Sequence, residues 1–238
     1  MTVTAVPCSR SDMDSTTSAT TRSVSSTPAP TPAPTTRPTA AAPPPPAATR
    51  PAPADLVVAV ATIVGPLLLL ASSVAWLADA GELQAILLMW AMIGLGLSIV
   101  GFSQRLRAAQ PWAAAIVLGI GIIGTAAGAG YAVEAAIVDH FGIERMNDQD
   151  TLATLFVLQI PGILFPLSLV AAAVASWRAR LLTPIHAGLI AVGALMFPAS
   201  RIPEIAGLAV TADAVLCLGL VTLGVALLTG HPRTNAEG

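Results

Sequence analysis

Six apolar runs, each close to the length that a bilayer demands, constrain this chain more than any other feature. They cover about residues 56–77, 83–103, 112–138, 152–177, 184–200 and 205–228. A hydrocarbon core of about 30 Å takes about 20 apolar residues at 1.5 Å each, and a helix satisfies every backbone group without water. The expected fold is therefore all-α, a polytopic bundle of six transmembrane helices. The fifth run is the shortest, closed by Pro198 and Pro203, and reads as a short or tilted span between two full ones. Composition agrees: 55% of residues are hydrophobic and 10% charged, against about 25% charged in soluble domains.

Residues 1–54 are Pro, Thr, Ala and Ser with almost no large apolar side chain. Such a segment cannot bury enough surface to offset chain entropy, so a disordered cytoplasmic tail is expected. The membrane domain then occupies 55–230, and 231–238 form a short cytoplasmic C-terminal tail. The stretch VAWLADAG around Ala78 has the look of a signal-peptidase site. The preceding run is too long, and too far from the N-terminus, for a signal peptide. Cys8 and Cys217 have neither disulfide-framework nor zinc spacing.

The loops alternate in charge. Arg105 and Arg107 occupy the second loop, and Arg178 and Arg180 the fourth; Asp79 and Glu82 lie in the first, and the third is mostly acidic. By the positive-inside rule both termini are cytoplasmic, in a multi-pass cell-membrane protein. Trp76, Trp112 and Trp177 near span ends fit the interfacial aromatic belt. The net charge of −2, with no basic stripe, gives no nucleic-acid partner.

Gly124 and Gly128 have GxxxG spacing in the third run, which predicts close helix packing. Pro66, Pro161 and Pro166 interrupt the first and fourth runs, where kinks are expected. PLLLLASSVAW from Pro66 and PLSLVAAAVASW from Pro166 align without gaps as far as Ala75 and Ala175. With three spans per half, a duplication would run in inverted orientation, an arrangement found in many transporters.

Asp213 is the residue most in need of an account. A carboxylate inside a span costs at least about 2.5 kcal/mol on insertion scales, so it should face the bundle and find polar partners. Gln159 and Thr125 are the candidates at comparable depth, and Glu134 is expected to pair with Arg201 at the outer surface. Asp139, His140 and Glu144 do not have a metal spacing. No Ser-His-Asp set, HExxH, CxxC or phosphate loop stands in a suitable context, so neither a cofactor nor catalysis is expected.

The short basic turns Gln104-Arg105-Leu106-Arg107 and Arg178-Ala179-Arg180-Leu181-Leu182-Thr183-Pro184 each join two spans. In this the layout resembles small bacterial six-helix membrane proteins of unassigned function, a resemblance that carries over no catalytic residue. Two functions remain. One is a structural or regulatory membrane subunit packed against a second copy or a membrane partner. The alternative is a small-solute or proton-coupled transporter with Asp213 in its path. A cavity reaching Asp213 would favour the transporter, and a dry bundle the subunit.

Overall fold

The computed structural model describes residues 52–143 and 152–229. Most of the N-terminal tail, the acidic part of the third loop and the C-terminal tail lie outside the described residues. The described chain is all-helical: α1 (Pro53–Leu77), α2 (Gly81–Leu106), α3 (Pro111–Phe141), α4 (Ile160–Arg178), α5 (Pro184–Arg201) and α6 (Ala206–Thr229). A single α-turn at Leu152–Thr154 and a π-helical turn at Leu155–Gln159 lead directly into α4. Proline stands at the start of α1, α3 and α5, where its missing N–H would have had no helical partner and its fixed φ suits the first turn. The π turn immediately precedes Pro161, and there Ile160 N–H reaches back five residues to the Leu155 carbonyl. An inserted residue of this kind is one way in which a helix accommodates a local interruption.

Five helices are long and apolar enough to cross a membrane: α1, α2, α3, α6, and α4 together with its π turn. The sixth, α5, is shorter at 18 residues and ends on Arg201. The outer surface is that of a membrane protein. Trp90 is 54% exposed and Ile116 57%, whereas Ser72, Ser73, Ser98, Ser168 and Ser200 are fully buried. Large apolar groups face outward and small hydroxyl residues inward, because lipid imposes no penalty on exposed leucine and helices in lipid associate by close backbone approach.

Each helix packs on its sequence neighbour, and α6 packs on α1, so the six close into a ring in chain order, with α4 also touching α2. Neighbours are antiparallel. The pairs Gly65–Gly94 and Ser72–Gln84 join α1 to α2 with sequence numbers rising on one helix as they fall on the other, and Gly193–Leu216 with Gly219–Ile190 do the same for α5 and α6. Glycines set these crossings. A Cβ on Gly65 would stand 2.9 Å from the Leu95 nitrogen, and one on Gly193 2.7 Å from that of Leu216. Gly124 lies against the backbone of α4 at Phe165, whereas Gly128 meets only the side chain of Met92. Buried hydroxyls return to carbonyls of their own helix, as Thr62 does to Val58 and Ser98 to Gly94. Others bridge helices, as Ser103 does to Ala114 at 3.1 Å.

α1 and α4 share a burial pattern. Gly65, Pro66, Leu69, Ser72, Ser73 and Ala75 are buried, as are the residues one hundred places on: Phe165, Pro166, Leu169, Ala172, Ala173 and Ala175. Leu67 and Val74 face outward, and so do Leu167 and Val174. The turns that follow also match. Asp79 and Arg180 both take left-handed φ, at 53° and 56°. Ala80 N–H bonds the Ala75 carbonyl at 2.9 Å, and Leu181 N–H bonds that of Ser176 at 2.7 Å, the six-to-one bond of a Schellman ending.

Candidate functional site

Asp213 lies seven residues into α6, about 10 Å along its axis, and is 1% exposed. Its Oδ2 accepts hydrogen bonds from the Ser73 hydroxyl of α1 and, at 3.0 Å, from an Arg201 guanidinium nitrogen at the end of α5. The same nitrogen donates to Ser73 Oγ at 2.6 Å. The guanidinium carbon lies over the rings of Trp76 and Phe197, 5.1 Å from each ring centre. One charge pair thus ties α1, α5 and α6 together, and flat aromatic faces shield the cation. Asp213 Oδ1 and Arg201 Nε are buried with no hydrogen-bond partner among the described residues.

This arrangement corrects the expected partners. Thr125 is buried but bonds the Gly121 and Ile122 carbonyls of its own helix at 2.9 and 3.2 Å, the usual refuge of a hydroxyl with no better acceptor in reach. Gln159 is exposed on the π turn and lines a cavity that Asp213 does not reach. Arg201 pairs with Asp213 rather than with Glu134, which is half-buried on α3. Ser73 gave no signal in the sequence, because only the packing of α6 on α1 brings it to Asp213. Arg201 lay in a loop by hydropathy, yet α5 runs on through Pro198 and carries it inward. Among the described residues, no group of three or more His, Cys, Asp or Glu could hold a metal ion. Cys217 is a buried free thiol.

Two cavities open at opposite ends of the ring. One, of about 390 Å³, lies where α1 ends and is lined by α2 to α5, including Gly128, Tyr131, Gln159, Gly162, Arg201 and Glu204 of the following loop. The other, of about 250 Å³, lies where α1 begins; Val58, Thr62, Arg105, Ser176, His186 and Ala226 are among its walls. Leu69, Leu95, Leu169, Ile190 and Leu216, each at most 1% exposed and near the middle of its helix, lie between them.

The two cavities use corresponding positions. Leu158 and Gly162 line the first where Val58 and Thr62 line the second. Thr62 and Gly162 are also the residues whose carbonyls lose a helical donor to Pro66 and Pro166. Arg201 stands in the last turn of α5 and Arg105 in the last turn of α2, although the hundred-place register sets Gly101 against Arg201. Arg105 makes a looser pair with Asp55, at 3.9 Å, and both side chains are substantially exposed.

The fold and this interior define a class, the polytopic α-helical membrane proteins. No protein-family model, curated protein or solved structure matches the chain.

Proposed function

We propose that the chain is a small-solute carrier built from two inverted three-helix repeats, in which the end cavities are alternately exposed vestibules. One observation supports this above the others: the cavities lie at opposite ends of the ring, and corresponding residues of the two triplets line them. Inverted repeats with proline-broken helices at matching places are the frame on which rocking carriers are built. The Arg pattern puts the Arg105 end in the cytoplasm and the Arg201 end outside.

Asp213 has a different part here from that expected of a residue in the path. Sealed at 1% exposure and held by Arg201 and Ser73, it fastens α6 to α1 and α5. The sealed carboxylate also favours the second reading, a structural or regulatory subunit whose triad is only a clamp.

Cysteine accessibility separates the two. In a chain with Cys8→Ser and Cys217→Ala, single cysteines at Gly162 and Thr62 are exposed to a membrane-impermeant maleimide on either side of sealed vesicles. A carrier gives labelling of position 162 from outside and of position 62 from inside. If neither position reacts, the bundle is dry and the subunit reading stands. A flux screen in proteoliposomes, with wild type beside Asp213→Asn, then seeks the solute.

A further inference from the structure

We infer that the Arg201-end cavity binds an uncharged amphipathic molecule, with an apolar body and an acceptor oxygen directed at the Arg201 guanidinium. This names the ligand class of one vestibule of the proposed carrier and rests on that reading only for the claim that the ligand is moved.

Size and lining come first. About 390 Å³ is within the range of small-molecule pockets, roughly 300–1,000 Å³. Most of the wall is apolar, with Met92, Ile163, Phe165 and Phe197 contributing, and the polar groups are few: Tyr131, Gln159, Arg201 and Glu204. At Gly162 an added Cβ would meet no atom within 4 Å, so the helix leaves open space there.

Charge then selects among ligands. Arg201 is already balanced by Asp213 at 3.0 Å, and Glu204 is a further carboxylate in the wall. An anion would add a second negative group to a guanidinium already neutralised by Asp213, in a wall that also carries Glu204. A cation would approach that guanidinium from the cavity with its countercharge already engaged. A neutral molecule avoids both, in a region where unpaired charge is costly.

Hydrogen bonding supplies the polar end. Arg201 lines the cavity with a side chain that is 16% exposed, and its Nη2 is engaged by Asp213 and Ser73, so the rest of the guanidinium is the donor in a mostly apolar wall. A ketone, ester, amide or alcohol oxygen provides an acceptor for it. The ester carbonyl of a bilayer lipid shares this chemistry with a free solute.

The test uses the full-length chain in phosphatidylcholine nanodiscs and radiolabelled decan-2-one, decane, decanoate and decylammonium, each corrected for partition into empty discs. Decan-2-one should bind saturably, and at least tenfold more tightly than the other three. Gly162→Leu and Ala127→Leu each fill the cavity and should abolish binding in discs that still elute as folded protein. Arg201→Lys keeps the charge opposite Asp213 but replaces the guanidinium fork with one ammonium that Asp213 and Ser73 engage, and should bring the ketone down to the level of decane. Tighter ketone binding in ether-linked discs, which have no ester carbonyls, would make lipid the resident ligand; equal binding points to a free solute. Preferential binding of decanoate or decylammonium, or ketone binding that survives both filling variants, overturns the inference. Saturable ketone binding without ketone flux would leave the site standing and count against the carrier, whereas flux of a charged solute without ketone binding would do the reverse.

Discussion

The two ends of the bundle have the same frame and hold their arginines differently. At one end Arg201 is 16% exposed, Asp213 is 1% exposed, and they stand 3.0 Å apart with Ser73 between helices. At the other, Arg105 is 34% exposed, Asp55 is 59% exposed, and they stand 3.9 Å apart. A cation can therefore stand in the last turn of α2 and of α5 while burial decides what each is worth. In water the pair is screened and gains little; out of water, loss of either member leaves a charge with nothing to compensate it.

The largest effect should come from breaking the buried pair. Arg201→Ala is expected to destabilise the fold by about 3–5 kcal/mol, read as unfolding in mixed micelles of graded SDS content. Asp213→Leu with Arg201→Met, which removes both charges, should recover most of that loss. If the double variant is as unstable as the single, the pair does more than neutralise itself.

Helix crossings give the next contrast. A Cβ on Gly124 would overlap the backbone of Phe165, whereas one on Gly224 would stand 2.5 Å from Cγ1 of the Ile63 side chain and 3.1 Å from the Ala59 carbonyl. Gly124→Ala should cost about 1–3 kcal/mol and Gly224→Ala clearly less, measured by the same unfolding assay. Equal losses would mean that the two α3- and α6-type crossings are equally tight.

Arg105→Ala should change stability by less than about 1 kcal/mol, because its pair with Asp55 is largely in solvent. A loss comparable to that of Arg201→Ala would erase the difference between the ends. The smallest effect concerns salt. Raising ionic strength from about 0.01 to 1 M shortens the Debye length from about 30 to 3 Å, so the stability difference between wild type and Arg105→Ala should shrink towards zero. That between wild type and Arg201→Ala should hardly move.

Much of the fold was legible because lipid leaves a chain few choices. A run of apolar residues near twenty long has to be a helix, and the expected spans agree within three residues with the observed helices once the turns at 152–159 are counted with α4. The shortest run, at 184–200, carried the weakest hydropathy, and α5 is the one helix that is not apolar enough to count as a span by composition. The site was harder. Burial of Asp213 follows from the energy of a carboxylate in hydrocarbon, but the identity of its partner does not, since that depends on which helices meet. Thr125 and Gln159 have suitable depth, and the ring sets them on α3 and the π turn, whereas α6 has α1 and α5 for neighbours.

The sequence by itself determined a six-helix membrane protein and the requirement that Asp213 be held inside, because each follows from the local free energy of a residue or a run in lipid. Closure of α6 onto α1, the turning of Arg201 away from Glu134 to Asp213, and the shaping of two matching cavities at opposite ends belong to the tertiary structure. These depend on contacts between helices far apart in the chain, and hydropathy, which weighs each residue against solvent alone, contains no information about them.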